Sequence, residues 1–260
     1  RFAKIQITSW GHPITSANSS IDYFLSSDLL KVENDDKFFS EKMIYLKHLP
    51  MYFYRPKVNK VLDENEISNQ KIYFCSQSII KFHPDFDNIL KNILLDDKHA
   101  KIYLIDDYHL GNKLRNRLKI NIPNAYNKIK FFDRLSVDDY INKCGQASVL
   151  LDTLYFGAGN SFHESMYYGT PTVTVPTQNL KSRIVSGAYK QMQIENPPIC
   201  KNTDQYVQKA IELANLDYKN MLDLKHNYQK KAKKFLYEDK NFIEEMNVLL
   251  RDLYKKNEKA

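Results

Sequence analysis

Residues Leu150 to Pro176 read LLDTLYFGAGNSFHESMYYGTPTVTVP. Two of the chain's seven glycines, Gly157 and Gly159, flank Ala158 just after an apolar run that ends at Asp152. Small residues in such a place let another group come close to the backbone. The pattern predicts a turn over Gly157–Gly159 and a helix from Asn160 to about Tyr168. Gly169 would close that helix and Pro171 would stop its continuation. SVLLD (Ser148–Asp152) before it and TVTVP (Thr172–Pro176) after it read as strands. A strand, a helix and a second strand in that order form a parallel crossover unit.

The same alternation extends upstream. KIYF (Lys71–Phe74), KIYLI (Lys101–Ile105) and KIKFF (Lys128–Phe132) read as strands. A helix opened by Pro84 and Asp85 runs to about Leu95, with Phe86, Ile89, Leu90 and Ile93 at helical spacing. A second spans about Gly111 to Leu118. A third follows Ser136, which with Asp139 forms a capping box, and runs to about Cys144. The fold class is therefore α/β, a doubly wound parallel sheet with helices on both faces. After residue 200 strand signals give way to three helices, over about 203–214, 217–236 and 240–255.

The first 56 residues form a separate piece, with strand candidates at KIQITSW (Lys4–Trp10), IDYFLS (Ile21–Ser26) and KMIYL (Lys42–Leu46). Residues 57–70 read as a polar linker, 71–236 as the complete doubly wound domain, and 237–260 as a terminal helix packing back across the molecule. Arg1 is not a methionine and lies close to a strand, so the chain is expected to be part of a longer protein.

Composition narrows the function. No apolar run approaches the roughly 18 residues of a membrane span. The three cysteines, Cys75, Cys144 and Cys200, are too far apart for a disulfide framework or a zinc site and suit a reducing, cytoplasmic setting. A net charge of +7 suits an anionic ligand. Much of the excess lies in YQKKAKKFLYEDK (Tyr228–Lys240), which reads as a solvated helix face. The interleaved basic and aromatic stripe of single-strand binders is missing, so no nucleic-acid partner is expected.

Two readings of the Gly157–Gly159 turn stand side by side. One is a tight connection with an ordinary helix cap. In the other, the unpaired amides opening the Asn160 helix hold a phosphate, and Glu164, four residues on and on the same face, receives ribose hydroxyls. The ligand would then be a nucleoside diphosphate. The run is neither a Walker loop nor a G-x-G-x-x-G fingerprint.

The Leu150–Pro176 stretch resembles the donor-binding segment of the O-linked N-acetylglucosamine transferases and their SPINDLY-like relatives. In that family a leucine–aspartate strand, a small-residue loop, a helix and G-T-P-x-V-T-x-P follow in this order. YFCSQSIIKFHPDFD (Tyr73–Asp87) is similar to the family's K-x-x-P segment, and NLKSRIVSGAYKQM (Asn179–Met192) to its S-R-V helix. ITSWGHPITSANSSIDYFLSSD (Ile7–Asp28) resembles its G-[YH]-P-x-T-S loop. These matches are collinear over about 210 residues.

The resemblance implies a GT-B glycosyltransferase, whose two Rossmann-like lobes hold a nucleotide sugar in the cleft between them without a metal or other cofactor. This chain would supply the tail of the first lobe and all of the second. The donor would be a UDP-sugar, most simply UDP-GlcNAc, and the acceptor a protein or peptide side chain. Lys81 falls on the lysine that meets the donor diphosphate, with Gln77 or Ser78 beside it. Leu135 would offer backbone to the base, and Tyr140 replaces a histidine near it. Gly159, Asn160 and Ser161 fall on a phosphate-binding run, and Glu164 replaces the aspartate that holds the ribose. His12, in the loop facing the cleft, is a candidate for contact with donor or acceptor. The family's repeats and acceptor-side histidines would precede Arg1. Three functions remain in view: glycosyl transfer, nucleotide-sugar binding without catalysis and, least supported, nucleic-acid binding.

Overall fold

A computed structural model describes residues 1–63 and 70–258. Of the linker expected over 57–70, residues 64–69 lie outside the described residues. Two parallel sheets are present. The first contains β1 (Ile7–Ser9), β2 (Tyr23–Ser27) and β3 (Lys42–Leu46) in that order. The second contains β4 (Ile72–Cys75), β5 (Lys101–Ile105), β6 (Ile129–Phe132), β7 (Val149–Leu151) and β8 (Thr172–Val173), in the spatial order β6-β5-β4-β7-β8. All pairings are parallel.

The helices are α1 (Asp85–Asp96), α2 (Gly111–Asn121), α3 (Val137–Gln146), α4 (Asn160–Ser165), α5 (Ile184–Gln191), α6 (Thr203–Ala214), α7 (Tyr218–Phe235) and α8 (Lys240–Glu258); the sequence pattern predicts each of them except α5, which falls on the segment that resembles the family's S-R-V helix. Phe86, Ile89, Leu90 and Ile93 put one face of α1 into the core with Tyr73, Ile102 and Leu104. Ser136 caps α3 as a capping residue should. Its Oγ accepts from the Asp139 amide at 3.2 Å and donates to Asp139 Oδ2 at 2.7 Å. Ser136→Ala is expected to lower stability by about 1 kcal/mol, read from the urea midpoint.

Several elements are shorter than the sequence pattern suggests, β1 among them, with Ile7–Ser9 in place of Lys4–Trp10. α4 ends at Ser165 instead of Tyr168, because bonds from the Tyr167 amide to Glu164 and from the Gly169 amide to Met166 tighten the last turn. β8 covers only Thr172–Val173. Thr174 bridges instead to Ile199, exchanging bonds with Pro198 and Cys200. A finding the sequence did not announce is Lys225 on α7, 2% exposed, whose Nζ caps α3 by donating to the carbonyls of Gly145 and Ala147, each at 2.7 Å.

The N-terminal piece is not a free appendage. Phe24, Leu30, Leu49 and Met51 share one apolar cluster with Phe162, Met166, Val185, Tyr189 and Leu236. α8 returns to the segment after β3, where Glu245 accepts from the Lys47 amide at 2.8 Å and pairs with His48.

Strand order reverses direction at β4. Its neighbours are β5, next in sequence, and β7, reached by a crossover. The loops leaving the carboxyl ends of β4 and β7 therefore emerge side by side. Ligands bind at such a switch point in open α/β sheets.

Candidate functional site

A cavity of about 470 Å³ opens at the switch point. The β4 loop contributes Gln77, Ser78 and Lys81, the β7 loop Gly157, Gly159, Asn160, Ser161 and Glu164, and the N-terminal piece Trp10, Gly11 and Pro13.

Lys81 ends a short 3-10 turn, Ile79–Lys81, which points its side chain back across the mouth of the sheet. Its Nζ donates to Gln77 Oε1 at 3.0 Å and to the Gly157 carbonyl at 2.8 Å, and it lies 4.5 Å from the centre of the Phe156 ring. Burial pulls its pKa down, and the negative charge of Asp152 opposes that shift. Gln77 is buried and donates from Nε2 to Ser161 Oγ at 2.8 Å. Ser161 therefore uses a lone pair, and its own O–H has no acceptor among the described residues. One connected chain runs from the Gly157 carbonyl through Lys81 and Gln77 to Ser161. Between Gln77 and Ser78, the geometry gives Gln77 this bridging place, whereas Ser78 is exposed and faces a larger neighbouring cavity as well.

No side chain caps the start of α4. With only six residues, this helix contributes little macrodipole. The positive character of the cavity comes from Lys81, from Lys181, which also lines it, and from the local amides. Glu164 is half-buried. Its carboxylate makes no hydrogen bond among the described residues, and burial raises its pKa. It lines both this cavity and an adjoining one of about 430 Å³ bounded by Tyr54, Arg55 and Val137.

Other expected residues lie further back. The Tyr140 ring packs against the cluster around Phe74 and Cys144, and its hydroxyl reaches the Ser161 carbonyl at 3.5 Å. Tyr140 thus sits beneath the start of α4, not on the cavity wall. Leu135 is half-buried in the loop after β6, and its neighbour Arg134 faces the larger cavity. His12 is exposed, whereas Gly11 and Pro13 on either side of it line the site.

Four residues of the site gave no functional signal in the sequence. Trp10 donates from Nε1 to the Pro50 carbonyl at 3.0 Å and closes over Gly159, where an added Cβ would come within 3.2 Å of its ring. Phe156 receives both Lys81 and Lys181. Asp152 lies buried behind the Gly157 loop. The glycines of the opening stretch thus admit the protein's own side chains. His163, fully buried, donates from Nδ1 to the Gly159 carbonyl at 3.1 Å and stacks on Phe53. Burial lowers its pKa to about 4, so the ring is neutral and braces the loop from behind.

No protein-family model matches the chain. It is 24% identical over 225 residues, 82% of its length, to a probable UDP-N-acetylglucosamine–peptide N-acetylglucosaminyltransferase, SEC, of Arabidopsis thaliana. It is 23% identical over 237 residues to the UDP-glucose:protein N-beta-glucosyltransferase of Actinobacillus pleuropneumoniae serotype 5b (strain L20). Among solved structures, an O-GlcNAc transferase mutant of Thermobaculum terrenum superposes on 98% of the chain with a TM-score of 0.85 at 18% identity. TarM of S. aureus superposes on 88% with a TM-score of 0.62 at 13% identity. The chain spans 23% of the plant relative, 36% of the bacterial glucosyltransferase and 49% of the Thermobaculum chain. These matches agree with the resemblance carried by the motifs. The fold is the α/β arrangement expected, parallel sheets flanked by helices, and it matches the fold of GT-B glycosyltransferases.

Proposed function

We propose that this chain is the donor-binding part of a protein glycosyltransferase that moves a sugar, most simply N-acetylglucosamine from UDP-GlcNAc, to a protein side chain. The observation that carries the reading is Lys81, suspended between Gln77 and the Gly157 carbonyl at the switch point and facing a cavity with free donors at Ser161 and the start of α4. A diphosphate fits that set of groups. Its negative oxygens would meet the ammonium, the Ser161 hydroxyl and the 159–161 amides, each charge-assisted bond contributing about 1.5–3 kcal/mol. The ribose would then lie at Glu164, whose carboxylate awaits donors, and the base would continue into the adjoining cavity.

In this reading the acceptor atom attacks the anomeric carbon from the side opposite the diphosphate and gives up its proton to solvent or to the departing diphosphate. The bond from that carbon to the phosphate oxygen breaks, its electron pair stays on UDP, and the configuration inverts. Charge grows on the departing oxygen, where Lys81 is fixed in place to offset it without solvent reorganisation. The reaction is proposed to proceed without a metal, with Lys81 and the amides in that role. Named relatives that use UDP-N-acetylglucosamine or UDP-glucose on peptide and protein acceptors support the substrate class.

Calorimetry with UDP, followed by a transfer assay on the complete protein with and without EDTA, tests this reading. UDP binding with EDTA-resistant transfer is expected. Binding without transfer would reduce the protein to a nucleotide-sugar-binding module, and no binding would remove the reading. The Glu164 placement has its own check. Glu164→Gln should weaken UDP about tenfold, the equivalent of about 1.4 kcal/mol, and leave the affinity of 2′,3′-dideoxy-UDP unchanged.

A further inference from the structure

Lys81 and Asp152 meet through a single peptide group. The Gly157 carbonyl accepts from Lys81 Nζ at 2.8 Å, and the Ala158 N–H, at the other end of the same planar unit, donates to Asp152 Oδ1 at 2.7 Å. The Asp152 carboxylate is buried, and Thr174 Oγ1 donates to its second oxygen at 2.7 Å. It fits only because residue 157 has no side chain, since a Cβ there would lie 2.6 Å from Asp152 Oδ2.

We propose that Asp152 is a positioning residue: through the 157–158 peptide it aims the Gly157 carbonyl at Lys81 and keeps that ammonium charged and turned to the cavity. The importance of this for donor binding rests on the function proposed above. A peptide dipole with its N–H on an anion and its C=O on a cation is polarised in the same sense by both, so each bond strengthens the other. Among the described residues, those of the N-terminal piece that line this cavity are Trp10, Gly11 and Pro13, none of them a carboxylate.

The surrounding ionisable groups leave this pair in control. Cys75 of β4, Tyr189 of α5 and Tyr206 of α6 face Asp152, and burial pushes all three upward, so they stay neutral through the neutral range. Lys181, whose Nζ lies 5.8 Å from the centre of the Phe156 ring that Lys81 also contacts, is a like charge. Burial pushes Asp152 up to about 6, against the pull of Thr174, the Ala158 amide and Lys81. Below that pH the carboxylate is neutralised, and Lys81 loses its counter-charge.

Competitive acetylation of the unliganded protein with acetic anhydride, read by mass spectrometry against exposed Lys219, reports how readily Lys81 gives up its proton. Asp152→Asn keeps the shape and an acceptor for Ala158 but removes the charge. It should make Lys81 about tenfold more reactive near pH 8, as a tenfold larger neutral fraction would. Thr174→Val, which keeps the charge, should leave Lys81 reactivity as in the wild type. The wild type needs no variant at all: its Lys81 to Lys219 labelling ratio should rise as the pH falls through about 6. A flat ratio, an unchanged Asp152→Asn, or an equal rise in Thr174→Val would overturn the inference. UDP calorimetry on the wild type addresses the proposed function separately. Absent binding overturns that function, whereas normal binding with unshifted labelling in Asp152→Asn overturns only the role of Asp152.

Discussion

If the proposed transfer reaction holds, Lys81→Ala in the complete protein is expected to lower kcat about 10²–10³-fold. The size follows from what Lys81 touches. Among the described residues its ammonium donates hydrogen bonds to Gln77 Oε1 and the Gly157 carbonyl, both neutral, and it lines the cavity. Bound donor already carries negative phosphates, so some loss of affinity follows. The larger loss comes when the bond to the sugar breaks and further charge collects on the diphosphate, because an interaction stronger in the transition state acts on turnover. Removing the side chain also leaves the Gln77 carbonyl oxygen and the Gly157 carbonyl without their shared donor in a partly buried site. Steady-state kinetics at saturating donor measure the effect. An unchanged kcat would take Lys81 out of the chemistry.

Gly169→Ala is expected to be the most destabilising small substitution around the five-stranded sheet, at about 4 kcal/mol. Gly169 holds φ at +68°, a left-handed conformation that disfavours any Cβ. An added Cβ would also lie 2.0 Å from the Lys225 carbonyl oxygen and 2.6 Å from the Gln229 amide nitrogen. Those are backbone atoms of α7 and cannot swing aside, so the helix must move. Displacing α7 withdraws Lys225 from the Gly145 and Ala147 carbonyls and loosens the packing of Tyr228, Ala232 and Leu236 on α4 and α5. The urea midpoint should fall sharply for Gly169→Ala. It should stay within about 0.5 kcal/mol of wild type for Gly11→Ala, where nothing lies within 4 Å of the added methyl.

The parts legible in the sequence were those governed by local periodicity. Phe86, Ile89, Leu90 and Ile93 mark the buried face of α1 by spacing alone, and Ser136 with Asp139 marks the start of α3. Lys81 and the Gly159–Ser161 turn were legible as a site because several motifs occur in one order, and the sheet topology brings them together. Effects set by tertiary contact were not legible. The close packing of Gly169 on the Lys225 and Gln229 backbone of α7 joins segments more than fifty residues apart. The resemblance places Tyr140 near the base, whereas in the structure its ring packs against the cluster of Phe74 and Cys144. Gln77 and Ser78 are equivalent on paper until the 3-10 turn at Ile79 sends one inward and the other to the surface. Asp152 looks like the end of an apolar strand. Its role emerges only when the Gly157–Ala158 peptide is seen to lie between it and Lys81.

The most direct measurement is a crystal structure of the protein with UDP bound. The account predicts the β-phosphate within hydrogen-bonding distance of Lys81 Nζ, of Ser161 Oγ and of the amides at the start of α4, with ribose hydroxyls on Glu164. Phosphates bound elsewhere, or a switch-point cavity that stays empty at saturating UDP, would contradict it.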